Sequence, residues 1–238
     1  ANTWYHFVVT FDSSNADITE LYVNGQLETT INRTSLGTYT GGISNPSVPI
    51  SIGYRPAYGN TWYMDGKIDQ VRLFTKALSS SEVSTLYAET ASTVESLDPL
   101  SEDTTNTLQV LGDTSCIATY RFENNEDDES GNYNGTGTAI QYAAGRYGQS
   151  ASFNGSSKID ITGFPNFLYT GVSISAWVNV DSFSNGPTVV SLYGNNSIVF
   201  GTNSSGNFFR SGQGNTVTSN TAMTTGTWNH IVMAADTS

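Results

Sequence analysis

Residues 1–14 read ANTWYHFVVTFDSS and residues 225–238 read TGTWNHIVMAADTS, so one strand-like stretch occurs twice at a constant offset of 224 residues. The identical pairs include Trp4 and Trp228, His6 and His230, Val8 and Val232, and Asp12 and Asp236. A repeat of this length corresponds to a whole domain rather than to a solenoid unit. We therefore interpret the chain as the late part of one copy of a domain followed by the early part of the next, as in a segment of a tandem array.

The composition favours many short strands joined by polar turns. Charged residues make up 13% of the chain, aromatic residues make up 12%, and there are 23 glycines. The net charge of −12, from 21 acidic and 9 basic residues, disfavours nucleic acids and anionic membrane surfaces, because phosphates require a basic face. This charge is compatible with a cation such as Ca²⁺ and with neutral glycans. No apolar run approaches the roughly 20 residues that a membrane-inserted helix needs.

Runs of β-branched and aromatic residues without helical spacing predict strands along most of the chain. The run 18–23 ends at Asn24-Gly25, a pair strongly favoured in two-residue hairpin turns. Residues 67–74 alternate imperfectly, as expected for a strand covered on both faces. The other predicted strands are 4–11, 26–31, 48–54, 117–122, 151–154, 158–162, 172–180, 188–192, 197–201, 207–210, 216–219 and 228–234. Many short strands at regular spacing indicate a β-sandwich or jelly roll.

Two segments depart from the strand pattern. The string Ser79-Ser-Ser-Glu82 is a capping box followed by apolar residues at helical spacing, so one short helix is predicted near 80–88. Residues 91–115 are rich in Thr, Ser, Asp and Glu, which predicts an inter-domain linker.

In their order and spacing, these segments resemble the laminin-G-like, concanavalin-A-like jelly roll of two antiparallel sheets. The first half resembles the end of that domain through the strings Trp4-x-His-x-Val-Val, Leu21-Tyr-Val-Asn-Gly25, Ile52-Gly53 and Asp65-Gly-Lys-Ile-Asp-Gln-Val-Arg-Leu-Phe74. The second half resembles its beginning through the strings Ala118-x-Tyr-Arg-Phe122, Asp128-x-Ser-Gly-Asn132, Gly145-x-x-Gly-Gln149, Phe153-Asn-Gly-Ser156 and Ile174-Ser-Ala-Trp-Val178. The linker and the string from Asp128 to Thr136 are also similar to tandem repeats in virion proteins of marine bacteriophages.

The resemblance implies that the first and last strands of the domain are antiparallel neighbours, so Phe74 should lie near Ala118. We therefore predict one circularly permuted jelly roll built from residues 1–90 and 116–238, with residues 91–115 as the linker. The alternative is a swapped dimer in which the halves pair between molecules. We favour the monomer, because pairing within one chain has an effective concentration of roughly mM.

The duplicated strand is surplus in such a fold. Two segments compete for one place in the sheet, so we expect one of them to be displaced or paired elsewhere. We favour the N-terminal copy for that place, because Phe7 and Phe11 would bury more apolar area than Ile231 and Ala235.

The loop from 124 to 136 is dense in oxygen donors, which suits Ca²⁺ with its six to eight hard oxygen ligands. The predicted strand pairing brings Asp69 beside this loop, and the resemblance implies a structural Ca²⁺ near the Asp-x-Ser-Gly turn. The predicted ligands are Asp69, Asp128, Asn132 and Asn134. The alternative is a solvated acidic turn whose side chains hydrogen-bond to their own backbone.

Exposed aromatic residues are the candidates for sugar binding. Trp62 and Tyr58 lie in a turn-rich stretch between predicted strands, where aromatic rings could stack on a sugar. The alternative is that Trp62 covers a sheet edge while Tyr63 fills the core. Trp177 is predicted to lie in the core.

Catalysis is not predicted. His6 and His230 occupy equivalent positions and are interpreted as strand residues, while Cys116, the only cysteine, is interpreted as inert. Jelly-roll glucanases present paired acids on one strand for retaining hydrolysis, whereas the strand 67–74 carries a single acid.

We therefore expect a non-catalytic recognition or adhesion module of an extracellular or virion-surface protein. Its expected partners are a carbohydrate or glycoprotein and the neighbouring repeats of its own chain. The competing expectation is a purely structural spacer repeat in a fibre, and a glycoside-active enzyme comes third.

Overall fold

The computed structural model describes residues 5–12, 18–23, 25–27, 31–35, 49–55, 62–89, 111–164, 171–184, 186–192, 198–212 and 215–236. These residues form two large sheets, as the sequence predicts, and one α-helix, α1 (Ser80–Tyr87). The predicted helix near 80–88 is therefore confirmed. Helical structure in these ranges is too short and too polar to cross a membrane.

The first sheet, called sheet I, contains nine strands, and strands are numbered in chain order. Eight of them follow in space as β11 (Gln141–Ala144), β12 (Gln149–Asn154), β8 (Asp65–Phe74), β14 (Gly171–Val180), β19 (Trp228–Asp236), β1 (Tyr5–Asp12), β2 (Ile18–Val23) and β3 (Gln26–Leu27). The ninth strand, β9 (Cys116–Tyr120), pairs with β8 outside this order.

The second sheet, called sheet II, contains eight strands and is antiparallel throughout. In space they follow as β10 (Gly135–Thr138), β13 (Lys158–Ile161), β5 (Ile50–Ile52), β15 (Thr188–Leu192), β16 (Ile198–Thr202), β17 (Asn207–Gly212), β18 (Asn215–Ala222) and β4 (Ile31–Ser35). A separate two-stranded ribbon joins β6 (Tyr54–Arg55) and β7 (Trp62–Tyr63).

β8 links the two parts of the chain. One of its edges pairs with β14, and the other pairs first with β12 and then with β9. Leu73 lies opposite Ala118 and Phe74 lies opposite Cys116, so the predicted neighbourhood of Phe74 and Ala118 is confirmed. Strands from residues 1–90 and from residues 116–238 therefore share both sheets.

The main core contains buried apolar side chains from both sheets. β14 contributes every second residue from Val172 to Val180, as the alternation of a strand requires. Phe153 from sheet I and Phe200 and Phe208 from sheet II contribute aromatic side chains, as do Tyr120 and Phe122. The predicted coverage of residues 67–74 on both faces is confirmed, because every residue from Ile68 to Phe74 is buried.

A second apolar cluster contains α1. Val83 and Leu86 of the helix are buried together with Phe74 of β8 and Tyr22 of β2. The helix begins at the predicted capping box: the Ser79 hydroxyl accepts from the Glu82 amide, and the Glu82 carboxylate accepts from the Ser79 amide. Of the predicted linker, residues 111–115 are described, and residues 91–110 lie outside the described ranges.

Both copies of the duplicated strand lie in sheet I, side by side between β14 and β2. β19 pairs antiparallel with β14, β1 pairs antiparallel with β2, and the two copies pair in parallel with each other. The expectation that one copy is displaced or paired elsewhere, with the N-terminal copy favoured for a single place in the sheet, is wrong, because the sheet contains both copies. Each copy pairs with an antiparallel partner from its own part of the chain, and the mutual pairing of the two copies covers the second edge of both strands, which would otherwise be open to aggregation.

Candidate functional site

Trp62 lies on the short ribbon formed by β6 and β7. The ribbon places Arg55 opposite Trp62 and Tyr54 opposite Tyr63. The rings of Tyr54 and Tyr63 are stacked with centroids 4.5 Å apart, and the Arg55 guanidinium carbon lies 4.2 Å from the Trp62 ring centroid. These contacts hold the tryptophan on a fixed platform while 37% of its surface stays exposed.

Trp62 borders a cavity of about 380 Å³ at the end of sheet II. This volume is within the range of small-molecule sites in proteins. Trp62 and Phe209 supply apolar wall, and the other lining residues are Ser184, Gly186, Thr202, Asn203 and Ser204. An aromatic wall beside hydroxyl and amide groups matches the chemistry of a sugar, which has apolar C–H faces and polar hydroxyls.

The polar wall is organised by the turn between β16 and β17. The Asn203 side-chain oxygen accepts from the amides of Ser205, at 2.9 Å, and Asn207, at 3.0 Å. This arrangement fixes the carboxamide and leaves its amino end as the available donor group. The Thr202 hydroxyl is buried and has no hydrogen-bond partner within the described ranges.

Of the two predicted sugar-stacking residues, the structure places Trp62 at this cavity, and Tyr58 lies outside the described residues. The interpretation of Trp177 as a core residue is confirmed, because its surface is 1% exposed. The sequence analysis missed Phe209, Thr202 and the 203–206 turn as parts of a site. The pair Ser205-Gly206 signalled the turn, but no local pattern brings it to Trp62.

The acidic turn around Asp128 is ordered by hydrogen bonds to its own backbone. The Asp128 carboxylate accepts from the Thr119 amide at 2.7 Å, from the Tyr133 amide at 3.3 Å and from the Ser130 hydroxyl. The Asn134 side-chain oxygen accepts from the Asp128 amide at 3.0 Å. Asp128 is thus a buried anchor that joins this turn to the end of β9.

An open cavity of about 430 Å³ borders the same turn. Its lining residues are Asn125, Asp127, Asp128, Glu129, Ser130, Gly131 and Asn134. Carboxylate and amide oxygens predominate, which are the ligands that Ca²⁺ prefers.

Asp69 lies at a different turn, formed by residues 145–148. Its Oδ2 atom accepts from the backbone nitrogens of Arg146, at 2.8 Å, and Tyr147, at 3.0 Å. Burial raises the pKa of Asp69 to about 8, although these amides act in the opposite direction and the nearby Glu123 carboxylate adds to the rise. The Oδ1 atom is buried without a hydrogen-bond partner in the described part of the chain.

Glu123 holds the other end of this turn. Its carboxylate accepts from the Gln149 backbone nitrogen at 3.1–3.2 Å. A Cβ atom on Gly145 would lie 2.6 Å from Asp69 Oδ2, and one on Gly148 would lie 2.2 Å from Glu123 Oε1. The two glycines therefore allow both carboxylates to approach the turn closely.

The four predicted calcium ligands are thus divided between two turns. Asp128, Asn132 and Asn134 belong to the acidic turn, and Asp69 belongs to the 145–148 turn. Within the described ranges, no three His, Cys, Asp or Glu residues are grouped closely enough to hold a metal ion. Calcium binding stays a prediction.

Two sheets that are almost entirely antiparallel and enclose one apolar core define a β-sandwich of the jelly-roll type. A family model described as the Concanavalin A-like lectin/glucanases superfamily, of laminin G type, matches residues 1–84 and 153–238. The matched residues are more than half of the chain, so the protein belongs to this superfamily. The resemblance to the laminin-G-like, concanavalin-A-like jelly roll is confirmed, and the similarity to phage tandem repeats stays a prediction. The searches of curated proteins and of solved structures found no match.

Proposed function

We propose that the protein is a non-catalytic carbohydrate-recognition module and that the cavity beside Trp62 binds the sugar. The observation that carries this proposal is the exposed indole of Trp62 beside a cavity that is lined by a second aromatic residue and by hydroxyl- and amide-bearing residues. Membership of a lectin and glucanase superfamily supports a carbohydrate-binding type of module.

The contacts of Trp62 favour binding by stacking. Arg55 covers one face of the indole, so the remaining ring surface borders the cavity. A ring that is already held in place loses little conformational freedom when a ligand binds, which favours affinity. The Asn203 side-chain amide would then bind a sugar hydroxyl.

The lining of the cavity supports recognition rather than hydrolysis. Glycoside hydrolases canonically place two carboxylates on either side of the scissile bond. The described residues that line the Trp62 cavity carry no carboxylate, and the carboxylates of Asp69 and Glu123 hold backbone amides of the 145–149 segment.

In the setting that we propose, the module is an adhesion unit repeated along an extracellular or virion-surface protein. The repeat at an offset of 224 residues supports this setting, and neighbouring repeats would be its partners within the parent chain. We propose a monomeric, circularly permuted jelly roll in dilute solution, supported by the sharing of both sheets between residues 1–90 and 116–238.

We also propose that Ca²⁺ binds at the acidic turn. The donor chemistry fits, because Asp127, Asp128 and Glu129 bring carboxylates to one open cavity. A cation there would reduce the repulsion between them. Of the four predicted ligands, Asp128 and Asn134 border this cavity, and Asp69 and Asn132 do not, so the proposed ligand set differs from the predicted one by those two residues.

Glycan-array screening followed by calorimetry on the best ligand tests the recognition proposal. Trp62→Ala should weaken binding about tenfold or more, which corresponds to about 1.4 kcal/mol. Tyr87→Ala is the matched control, since Tyr87 is an aromatic residue of α1 with 36% exposure and does not border the cavity. Asn203→Ala should give a smaller loss.

The outcomes separate the candidate functions. Unchanged binding by Trp62→Ala rejects this cavity as the site. An array on which the wild-type chain gives no signal, with or without Ca²⁺, favours the structural spacer. Release of reducing sugar by the wild-type chain identifies an enzyme.

A further inference from the structure

The two copies of the duplicated strand pair in a register that matches the sequence repeat. Tyr5 lies opposite Asn229, and the pairing continues to Val9 opposite Met233, so each pair keeps the offset of 224 residues. Among the strand pairs of the described ranges, β1 with β19 is the one parallel pair. Parallel pairing is slightly less stable per residue than antiparallel pairing.

Equivalent residues of the two copies face different strands. Val232 of β19 lies opposite Ser175 of β14, and Val8 of β1 lies opposite Tyr22 of β2. Both pairings are antiparallel, and they use opposite edges of the repeated strand. A single copy between β14 and β2 would fill both roles, so sheet I contains one strand more than this arrangement requires.

We propose that β19 is an exchangeable strand that docks beside β14 of a second copy of this chain. In the copy that receives this strand, the incoming β19 takes the place of that copy's own β19. The displaced β19 then docks beside β14 of a further copy. When several copies are joined in a row, the first copy donates its β19 but receives none. In that copy β1 moves beside its own β14 and closes the sheet. Copies joined in this way associate head to tail, as heterologous contacts do.

The pairing energetics favour this exchange. In a receiving copy every strand pair is restored by an identical strand. In the first copy β1 replaces β19 beside β14 and keeps its pairing with β2, so only the parallel pair is lost. The edge of β14 accepts the β19 sequence in the closed chain, because β14 pairs with β19 over nine residues, from Gly171 opposite Asp236 to Asn179 opposite Trp228.

The connection before β19 identifies the part that would move. The Met223 amide donates to the Gly206 carbonyl at 2.8 Å, and the Gly226 amide donates to the Val180 carbonyl at 2.9 Å. Both bonds lie before β19 begins at Trp228, so the strand can leave as a unit after this anchored turn.

Concentration decides when exchange occurs. Pairing within one chain has an effective concentration of roughly mM, so dilute chains stay closed. Copies held side by side along one polypeptide or on one surface reach comparable local concentrations, and exchange between them becomes competitive.

Disulfide trapping between two variants of this 238-residue chain tests the proposal. Both variants carry Cys116→Ala, which removes the only native cysteine. One carries Ser175→Cys on β14 and the other carries Val232→Cys on β19, which are opposite each other in the sheet. We expect a disulfide-linked heterodimer when the two are mixed at close to mM protein under oxidising conditions.

The register control replaces Val232→Cys by Ala235→Cys. Ala235 lies opposite Val172, three positions along β14 from Ser175, or roughly 10 Å. Its heterodimer yield with Ser175→Cys should be about tenfold lower, because Cα atoms more than about 7 Å apart cannot be bridged. A single chain with both Ser175→Cys and Val232→Cys should form an internal disulfide in dilute solution, which shows that the substituted sheet is intact.

The role of β1 has its own test. Val8→Pro removes a backbone donor from β1 and weakens its pairing. When Val8→Pro is combined with Val232→Cys in one chain, the heterodimer yield should fall several-fold. The reason is that a chain that has donated its β19 would then lack a strand to cover the free edge of its β14. Equal yields from the in-register and out-of-register pairs, or an internal disulfide with no heterodimer at any concentration, overturn the proposal. An unchanged yield with Val8→Pro overturns the closing role of β1.

Discussion

The Oδ2 atom of Asp69 accepts a hydrogen bond of 3.0 Å from the backbone nitrogen of Tyr147. Asp69 lies just before Gln70, whose φ of 51° marks the point where β12 stops pairing with this edge of β8 and β9 begins. The 145–148 turn approaches β8 at this gap. On this edge of β8, Asp69 and Gln70 have no partner strand among the described residues, and the Asp69 side chain instead accepts hydrogen bonds from the 145–148 turn.

The buried Asp69 carboxyl makes stability depend on pH. Burial raises its pKa from 3.8 to about 8, so the folded chain keeps a proton that the unfolded chain releases between these values. The contribution of Asp69 to the free energy of unfolding is therefore fully present below about pH 4 and declines as the pH rises to about 8. Asp69→Asn cannot titrate, so its stability relative to wild type should improve by on the order of a few kcal/mol across this range.

Urea denaturation of both chains from about pH 5 to about pH 8.5, with EDTA present, measures this difference. All other titrating groups are common to the two chains and cancel. A constant difference in unfolding free energy across the range would show that Asp69 is ionised in the folded protein.

Much of the strand pattern was predictable because it is encoded locally. β2 was predicted at its observed bounds, since its apolar run ends at the Asn-Gly turn signal. β15 was also predicted at its observed bounds, from a short run of mostly apolar residues that are all buried in the structure. β10 and β11 were missed. They are short, largely exposed and rich in Gly, Thr and Ala, so they lack the apolar period on which strand prediction depends.

The candidate site was predictable only in part. Trp62 stood out as an aromatic residue in a polar stretch, but Phe209 and Thr202 reach the cavity through sheet packing that no local pattern encodes. Asp69 was expected beside the acidic turn because its strand was predicted to pair with the strand that precedes this turn. That pairing, between β8 and β9, is correct. The bulge at Gln70 and the 145–148 turn, which are tertiary features, direct Asp69 elsewhere.

The capping box of α1 should contribute measurably to stability. Ser79→Ala removes the hydroxyl that accepts from the Glu82 amide, so we expect a loss of about 1 kcal/mol in the free energy of unfolding. Ser84→Ala on the same helix is the control. Ser84 is exposed, and its hydroxyl donates to the Ser80 carbonyl inside the helix, so this bond is not part of the N-terminal cap. Equal losses in the two variants, measured by urea denaturation, would show that the cap is not specifically stabilising.

Calcium should stabilise the folded protein if the acidic turn binds it, because a ligand that binds only the folded state shifts unfolding. We expect Tm to rise with Ca²⁺ concentration for the wild-type chain and for Asp181→Asn, which removes an exposed acid that does not border the cavity. Asp127→Asn should reduce the rise, because Asp127 borders the cavity. A wild-type Tm that does not change between EDTA and millimolar Ca²⁺ rejects calcium at this turn.

The buried ion pair between Arg72 and Glu89 should be a sensitive point of the fold. Arg72 Nη1 and Glu89 Oε2 are 2.6 Å apart, with side chains that are 1% and 4% exposed. The pair joins β8 to the residue that follows the end of α1, and the Tyr147 hydroxyl donates to the Glu89 carbonyl at 2.7 Å. Glu89→Ala leaves a buried charge without its partner, so we expect a loss of about 3–5 kcal/mol in the free energy of unfolding.

Two further variants separate the charge effect from lost packing. The double variant Arg72→Met/Glu89→Leu removes both charges and keeps much of the buried volume, so it should be more stable than Glu89→Ala. Lys158→Ala breaks the partly exposed pair with Asp160 and should cost no more than about 1 kcal/mol. If the double variant is as unstable as Glu89→Ala, the loss comes from packing around the end of α1, since no unpaired charge remains in that chain.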